Sequence, residues 1–353
     1  MKTVVIAIPS LHRPDLTARC IESIQKQTLS ADEWEIVVIE NEAAAGQVLP
    51  DPLPPNTRRI DLPTNEGTTG SINRAVAATE SRYVLLLNND VELASDYIAT
   101  LVAALEDSAM LGFATGKLLR ATQRTHLDGA GDAMLMAGAG YRLGHLDCDR
   151  GQFDEPMPVL AACGAAVLYR RGVFVASGGL DADFFAYLDD LDLALRAQLL
   201  GYSGIYIPSA VAYHVGSATL AALPGSPKKE ALHPRVVEYI TRNQLNLLVK
   251  DYPRPVFLRL LPRIVVYQCL WGLFALRNGA LGAYLRGLRA AFGNRHAMCE
   301  KGRELMRWRR IRDNEFLERL RTSEQQIYDW QQSLPGPERS ALLTFYFRLF
   351  GKP

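Results

Sequence analysis

The chain has 353 residues, 48% of them hydrophobic and 22% charged, with 39 Lys+Arg against 38 Asp+Glu. That length exceeds the roughly 250–300 residues at which one hydrophobic core stops growing, so two structural regions are expected. The composition excludes a disordered, collagen-like or disulfide-stapled chain, and five scattered cysteines without C-x-x-C spacing argue for a reduced, cytoplasmic protein without a zinc site.

The opening MKTVVIAIPS lacks the length and cleavage site of a signal peptide and reads as a first strand over Val4–Ile8. Glu35–Ile39 and Tyr83–Leu87 are further unalternating apolar runs, the pattern of parallel strands buried on both faces. Between the first two, Pro14-Asp15 opens a helix with Leu16, Cys20, Ile21 and Ile24 on one face. A second helix is predicted from Thr68 to Glu80, with Ile72, Ala75 and Val76 inward. Leu160–Arg170 is another strand candidate, and Leu188, Leu191, Leu195 and Leu199 recur at helical spacing before Gly201, a good C-cap. A short strand, Gly204–Ile207, is expected to stop at Pro208, and Ala221–Arg235 reads as a breaker-rich loop. Beyond it the chain turns helical and basic up to Ser333. Strand–helix alternation implies a mostly parallel sheet with ligands gathered at the carboxyl ends of its strands.

The net charge of +1 hides an asymmetry. Between Pro255 and Arg312, 12 Lys/Arg face only Glu300 and Glu304, a local charge of +10 that leaves −9 for the remainder. Such a segment suits an anionic surface. The longest strongly apolar uncharged run, Ile264–Leu276, has 13 residues. About 20 are needed to span a bilayer, so no transmembrane helix is expected. Aromatic residues interleaved with Arg259, Arg263, Arg277, Arg286 and Arg289 fit an interfacial helix, and they equally fit a hairpin packed on protein.

Several chemistries are disfavoured by what is missing. PSLHRP follows the first strand in place of G-x-G-x-x-G, and there is no P-loop, no G-x-S-x-G elbow and no H-E-x-x-H. Asn88-Asn89-Asp90 stands directly after YVLLL, where a carboxylate can hold a hard divalent cation and, through it, a diphosphate. The same cluster also suits a turn that caps a helix near Ala94. Asp189 and Asp190 lie among Phe184, Phe185 and Tyr187 as candidates for a general base, while Asp192 is spaced to pair with Arg196. His214 could complete a coordination sphere. Asn65-Glu66-Gly67-x-x-Gly70-x-x-Asn73 opens the second helix with glycines that allow close approach of anionic oxygens.

In chain order, VVIAIPSLHRPDLTARCIESIQKQT, EIVVIEN, NEGTTGSINRAV, YVLLLNNDVEL, FFAYLDDLDLALRAQLLGY and YHVGSAT resemble the family 2 glycosyltransferases over roughly residues 1–250. The branch they are most similar to is the rhamnosyltransferase-like one of bacterial surface-polysaccharide assembly. The resemblance implies a GT-A fold over 1–220, with a nucleotide-sugar half about 1–120 and an acceptor half about 121–220, followed by a basic helical region over 221–353. It implies that Pro9, Ser10 and Arg13 line the nucleotide pocket and that Glu40 stands where the family usually has an aspartate facing the base. It further implies that Asn65, Gly67, Gly70, Asn73, Asn88 and Asn89 border the nucleotide sugar. Asn88-Asn89-Asp90 matches the D-x-D-like motif without its first aspartate, which leaves Asp90 and His214 as ligands for Mg²⁺ or Mn²⁺. Asp189-Asp190 matches the acidic pair, with Asp190 as base.

The expected reaction is inverting transfer from a UDP-, dTDP- or GDP-linked sugar to a hydroxyl of a glycan or polyprenyl-diphosphate-linked acceptor. The expected place is the inner face of the cell membrane, with no nucleic-acid partner and with oligomerisation through the C-terminal helices possible. Lys228 and Lys229, in the loop after His214, are either a linker or a flap over the diphosphate. The competing readings are a sugar-nucleotide pyrophosphorylase, which PSLHRP opposes, a non-catalytic binder or scaffold with the same fold, and a nucleic-acid binder.

Overall fold

The computed structural model describes residues 2–216 and 233–353. A ten-stranded sheet forms its centre, and eight strands follow the order β10-β12-β6-β11-β4-β1-β2-β3. These are β1 (Lys2–Ser10), β2 (Trp34–Glu40), β3 (Thr57–Asp61), β4 (Ser81–Leu87), β6 (Leu111–Arg120), β10 (Met157–Val159), β11 (Ala166–Arg170) and β12 (Ser203–His214). β5 (Val91–Leu93) pairs with β12 and β7 (Gln123–Gly129) with β6, while β8 (Asp132–Met134) and β9 (Gly140–Arg142) form a separate ribbon. β4, β1, β2 and β3 run parallel, as do β6 and β12, and β11 lies antiparallel between β4 and β6.

The unbroken apolar runs of β1, β2 and β4 follow from burial on both faces. Val5, Ala7, Val37, Ile39, Val84 and Leu86 point into one core. Their neighbours Val4, Ile6, Ile8, Ile36, Val38, Tyr83 and Leu85 point into the other. Helices α1 (Pro14–Ile24) and α3 (Tyr97–Glu106) cover the second core through Cys20, Ile21, Ile24, Ile98 and Leu101. Helices α2 (Gly67–Ala77), α4 (Arg171–Ala176) and α5 (Asp189–Leu199) cover the first.

Two predicted strands differ from the structure. Leu160–Arg170 is strand only from Ala166, because the preceding main chain is used elsewhere: Ala161 bridges to Asp132, and the Gly164 N–H donates to Asp190 Oδ2 at 2.8 Å. The strand after Gly204 does not stop at Pro208. It runs on to His214 with a shift of register between Ile207 and Val211, and such a bulge accommodates a residue with no N–H to donate. The bulge presses the Ala210 carbonyl against Gly116, where a Cβ would lie 2.1 Å from its oxygen.

Beyond residue 233 come α6 (Pro234–Asp251), α7 (Arg254–Arg277), α8 (Leu281–Trp308), α9 (Asp313–Ser333) and α10 (Ala341–Phe350), the last lying beyond Ser333, where the predicted helical stretch ends. Leu247, Leu260, Ile264, Met298, Phe316 and Leu320 from these helices complete the same core as Val5 and Val84. Small residues let α8 approach α6 closely: a Cβ on Gly287 or Gly302 would stand 2.7 Å from the carbonyl oxygen of Glu238 or Lys250. Among the described residues α7 alone is long and apolar enough to cross a membrane by length and composition. Its 24 residues exceed the uncharged run because the helix extends past Arg259 and Arg263. Lys228 and Lys229 lie outside the described residues.

Candidate active site

The carboxyl ends of β1, β2 and β4 place Ser10, Glu40 and Asn88 along one edge of the sheet, with Ser10 opposite Glu40. Pro9, opposite Ile39, belongs to the same end of β1. Ser10 Oγ lies 3.1 Å from Thr17 Oγ1, which also accepts a 3.2 Å hydrogen bond from Asn89 Nδ2. Arg13, in the turn into α1, forms a two-pronged ion pair with Asp15 and feels the charge of Asp90. Glu40 is fully buried, and its Oε1 accepts the Leu49 N–H at 2.9 Å. Its Oε2 is buried without a hydrogen-bond partner among the described residues.

The start of α2 is shaped by its glycines. Asn65 Oδ1 accepts the Gly67 N–H at 2.9 Å, and Gly67 adopts φ +70°. A Cβ there would lie 2.3 Å from the Phe185 carbonyl oxygen, and one on Gly70 would lie 2.5 Å from Glu66 Cβ. Asn73 spends its side-chain amide on the main chain of Leu180, at 2.7 and 3.0 Å, and so ties α2 to the segment before α5.

Asp90 and His214 meet. They follow β4 and end β12, and Asp90 Oδ1 lies 3.3 Å from His214 Nε2, with both side chains almost wholly buried. His214 Nδ1 is 2.7 Å from Asp128 Oδ2, at the end of β7, and Arg142 of β9 reaches the same carboxylate at 2.6 Å. Burial opposes the charge on Asp128, but the His214 hydrogen bond and the Arg142 charge outweigh it and hold the carboxyl well below its ordinary range. Burial also opposes protonation of His214, yet its two carboxylate partners push it up to about 9.

Arg142 continues the line. Its guanidinium donates to Cys163 Sγ at 2.7 Å and stands 3.8 Å from Asp132 Oδ1. The ligand atoms of Asp132, Cys163 and Asp190 all lie within 4.8 Å of one another. Such a trio could hold a metal, but here the Arg142 guanidinium already supplies the positive charge. Asp190 is oriented by two N–H groups at 2.8 Å, those of Gly164 and Leu191. Burial and the neighbouring charge of Asp190 push the Asp189 carboxyl up to about 8, and burial reinforced by Asp190 and Asp128 raises Asp132 to about 7. Asp192 pairs with Arg196 and Lys250 inside the core, as its spacing predicts.

Asp90 and Asp190 are therefore the two ends of one continuous line of polar groups, Asp90–His214–Asp128–Arg142–Cys163/Asp132–Asp190. The 163–165 segment separates them and touches both sides, because Ala165 O accepts the Asn88 N–H at 2.9 Å while Gly164 binds Asp190. Asp128, Asp132, Arg142 and Cys163 carried no expectation from sequence. The one signal that marks them is the acid–glycine cluster Asp128-Gly129-Ala130-Gly131-Asp132.

A relative in Mycobacterium tuberculosis, an N-acetylglucosaminyl-diphospho-decaprenol L-rhamnosyltransferase, is 28% identical over 182 residues, 45% of this chain and 59% of its own length. An uncharacterized protein of Sinorhizobium fredii, y4gI, is 27% identical over 254 residues, 68% of this chain and 27% of its own. The chain thus spans from about a quarter to under two thirds of the length of these relatives. Among solved structures, GalNAc-T7 with UDP, GalNAc and Mn²⁺ superposes with a TM-score of 0.63 at 12% identity, covering 97% of this chain and 59% of that one. That likeness gives the fold: a mixed α/β sheet of GT-A type with added C-terminal helices. With residues 2–225 matched by the family model described as "Glycosyltransferase like family 2", the chain belongs to that glycosyltransferase family.

Proposed function

We propose that this chain transfers a sugar from a nucleotide-diphosphate donor to a hydroxyl of a glycan or lipid-linked glycan, with inversion at the anomeric carbon. The observation that carries this reading is the line of buried and half-buried polar groups joining Asp90 and His214 to Asp190. The donor set would fit a hard divalent cation, Mg²⁺ or Mn²⁺, in place of the proton that His214 otherwise holds toward Asp90, since carboxylate and imidazole stand side by side and Asp128 anchors the far ring nitrogen. When bound, the ion supplies Lewis-acid stabilisation of a diphosphate leaving group. Asp190, held by Gly164 and Leu191, takes the proton of the acceptor hydroxyl as that oxygen attacks the sugar carbon. No covalent intermediate is needed for a single displacement. Glu40 Oε2, a buried acceptor without a partner among the described residues, suits an N–H of the donor's base. The name of the mycobacterial relative favours a role in bacterial cell-surface glycan synthesis on a polyprenyl-diphosphate acceptor.

The test is turnover of labelled UDP-, dTDP- and GDP-sugars with Mg²⁺ or Mn²⁺, after a thermal-shift panel has ranked the donors. Wild type should turn over one donor and Asp190→Asn should not, while both bind it. Equal turnover by the two, or binding without turnover by wild type, refutes this reading in favour of another base or a non-catalytic binder.

We also propose attachment to an anionic membrane at the inner face of the cell membrane. Leu258, Leu261, Val265, Leu273 and Leu276 form an exposed stripe at helical spacing along α7, flanked by Arg254, Arg259 and Arg277, and Leu285 and Phe292 of α8 are also exposed. Flotation with anionic vesicles at low salt should carry the protein upward. A soluble dimer that stays behind would assign the stripe to a second copy.

A further inference from the structure

Helix α5 carries Asp189 and Asp190 in its first turn, yet among the described residues no side chain caps its start. The residue in the cap position, Leu188, is left-handed at φ +60°, and Tyr187 at +69° and Phe185 at +64° also have positive φ, Phe185 as the centre of a γ-turn in which the Ala186 N–H bonds Phe184 O at 2.7 Å. Non-glycine residues rarely adopt that conformation, and three within four residues must be held by something outside the segment. Two elements hold it. On the side of the nucleotide half, the Thr69 N–H donates to the Phe185 carbonyl at 3.4 Å, and Gly67 leaves the space that this carbonyl fills. On the other side stands Asn243, fully buried in α6. Its two Nδ2 protons are shared among three carbonyls of the segment, those of Phe184, Ala186 and Tyr187, at 3.0, 2.9 and 2.7 Å. Arg242 fixes which way the amide faces, because its Nε donates to Asn243 Oδ1 at 2.8 Å, and its terminal nitrogen donates to Phe184 O at 2.6 Å.

The first turn of α5 hangs from this segment, as the Asp192 N–H bonds the Leu188 carbonyl at 3.0 Å. The place where the helix begins is thus imposed by the clamp and not by a capping residue. We infer that Asn243, oriented by Arg242, is a positioning residue for sugar transfer: by pinning the positive-φ turn over 185–188 it sets where the Asp190 carboxylate stands relative to the donor. The inference rests on the proposed function and adds to it a role for the C-terminal helices inside the site.

The test compares wild type with Asn243→Asp, which keeps the shape but loses the donors, and with Asn243→Ala. Hydrogen exchange of the 185–189 amides should quicken about tenfold or more in both variants, while that of residues 195–199 stays unchanged. Turnover number should fall about 100-fold, the scale on which a misplaced catalytic group acts, with nucleotide-sugar affinity altered less than about threefold. A folded variant with unchanged exchange, or with fast exchange and undiminished turnover number, overturns the inference. If neither variant folds, Arg242→Met, which removes the donors that orient the amide, is read in the same way. Should wild type transfer no sugar from any donor, the proposed function falls, and the exchange comparison alone then decides whether the clamp exists.

Discussion

Asp128 is the residue whose replacement tests the site most directly. It is almost wholly buried between two positive or hydrogen-donating partners, His214 Nδ1 at 2.7 Å and Arg142 at 2.6 Å. Asp128→Asn keeps the volume, but both partners share Oδ2, so an amide with its oxygen there retains the contacts and removes only the charge that both face. Breaking one side of a buried pair costs about 3–5 kcal/mol, and the retained hydrogen bond puts the asparagine near the lower end, about 3 kcal/mol. With a urea slope of about 3 kcal/mol/M, that moves the unfolding midpoint down by about 1 M. The second consequence is separate. An imidazole whose far nitrogen faces a neutral amide in place of a carboxylate presents Nε2 less reliably, and loss of such an outer carboxylate typically weakens metal affinity about 10–100-fold. Tryptophan-monitored urea unfolding and a Mn²⁺ titration followed by electron paramagnetic resonance read the two effects independently. A midpoint shift of under about 0.2 M would refute the energetic argument. Mn²⁺ affinity within about twofold of wild type in a folded variant would refute the anchoring of His214.

Three further outcomes follow from burial and charge. Asp181 is held well below its ordinary range, for although burial opposes its charge, Lys250 and Lys301 outweigh that cost. Its contribution is therefore present above about pH 4 and lost as pH falls, so Asp181→Asn should cost about 3 kcal/mol at pH 7 in urea unfolding, with the gap closing below pH 4. Asp189 has the opposite sign: its carboxyl is raised to about 8 by burial and by Asp190, so its ionisation penalises the fold increasingly as pH climbs from about 4 to 8. Melting temperatures should show Asp189→Asn gaining on wild type over that range, by a few kcal/mol at most at pH 8, and parallel pH profiles would contradict it. Gly302→Val drives a side chain into the Lys250 carbonyl and should destabilise by about 1–3 kcal/mol in thermal melts.

The legible parts of this fold are those whose burial is uniform. β1, β2 and β4 announce themselves because side chains on both faces are covered, and α1, α2 and α5 because one face is. Asp90, Asp190 and His214 stand out because each adjoins such an element. Asp132 and Arg142 lie on strands of three residues, too short for any period to register, and Asp128 ends a strand whose first residues are exposed. Their meaning comes from partners on other strands, Arg142 for Asp128 and Asp132 and the more distant His214 for Asp128. Asn243 misleads in another way: a polar residue in an amphipathic helix reads as surface, yet its amide is consumed by three carbonyls of a different segment. Pro208 reads as a stop because the bulge that absorbs it depends on Gly116, in a strand that sequence alone does not pair with it.

The antiparallel placement of β11 between β4 and β6 has a temporal consequence. Strands β1 to β4 can associate as soon as they have emerged from the ribosome, but β12, which carries His214, needs β6 beside it, and the Asn243 staple needs α6. Pairings across so many intervening residues form slowly. In refolding from denaturant, the edge that carries Ser10, Glu40 and Asn88 should regain its protection first, and the pairing of His214 with Asp90 and Asp128 should return only with the last, most distant contacts.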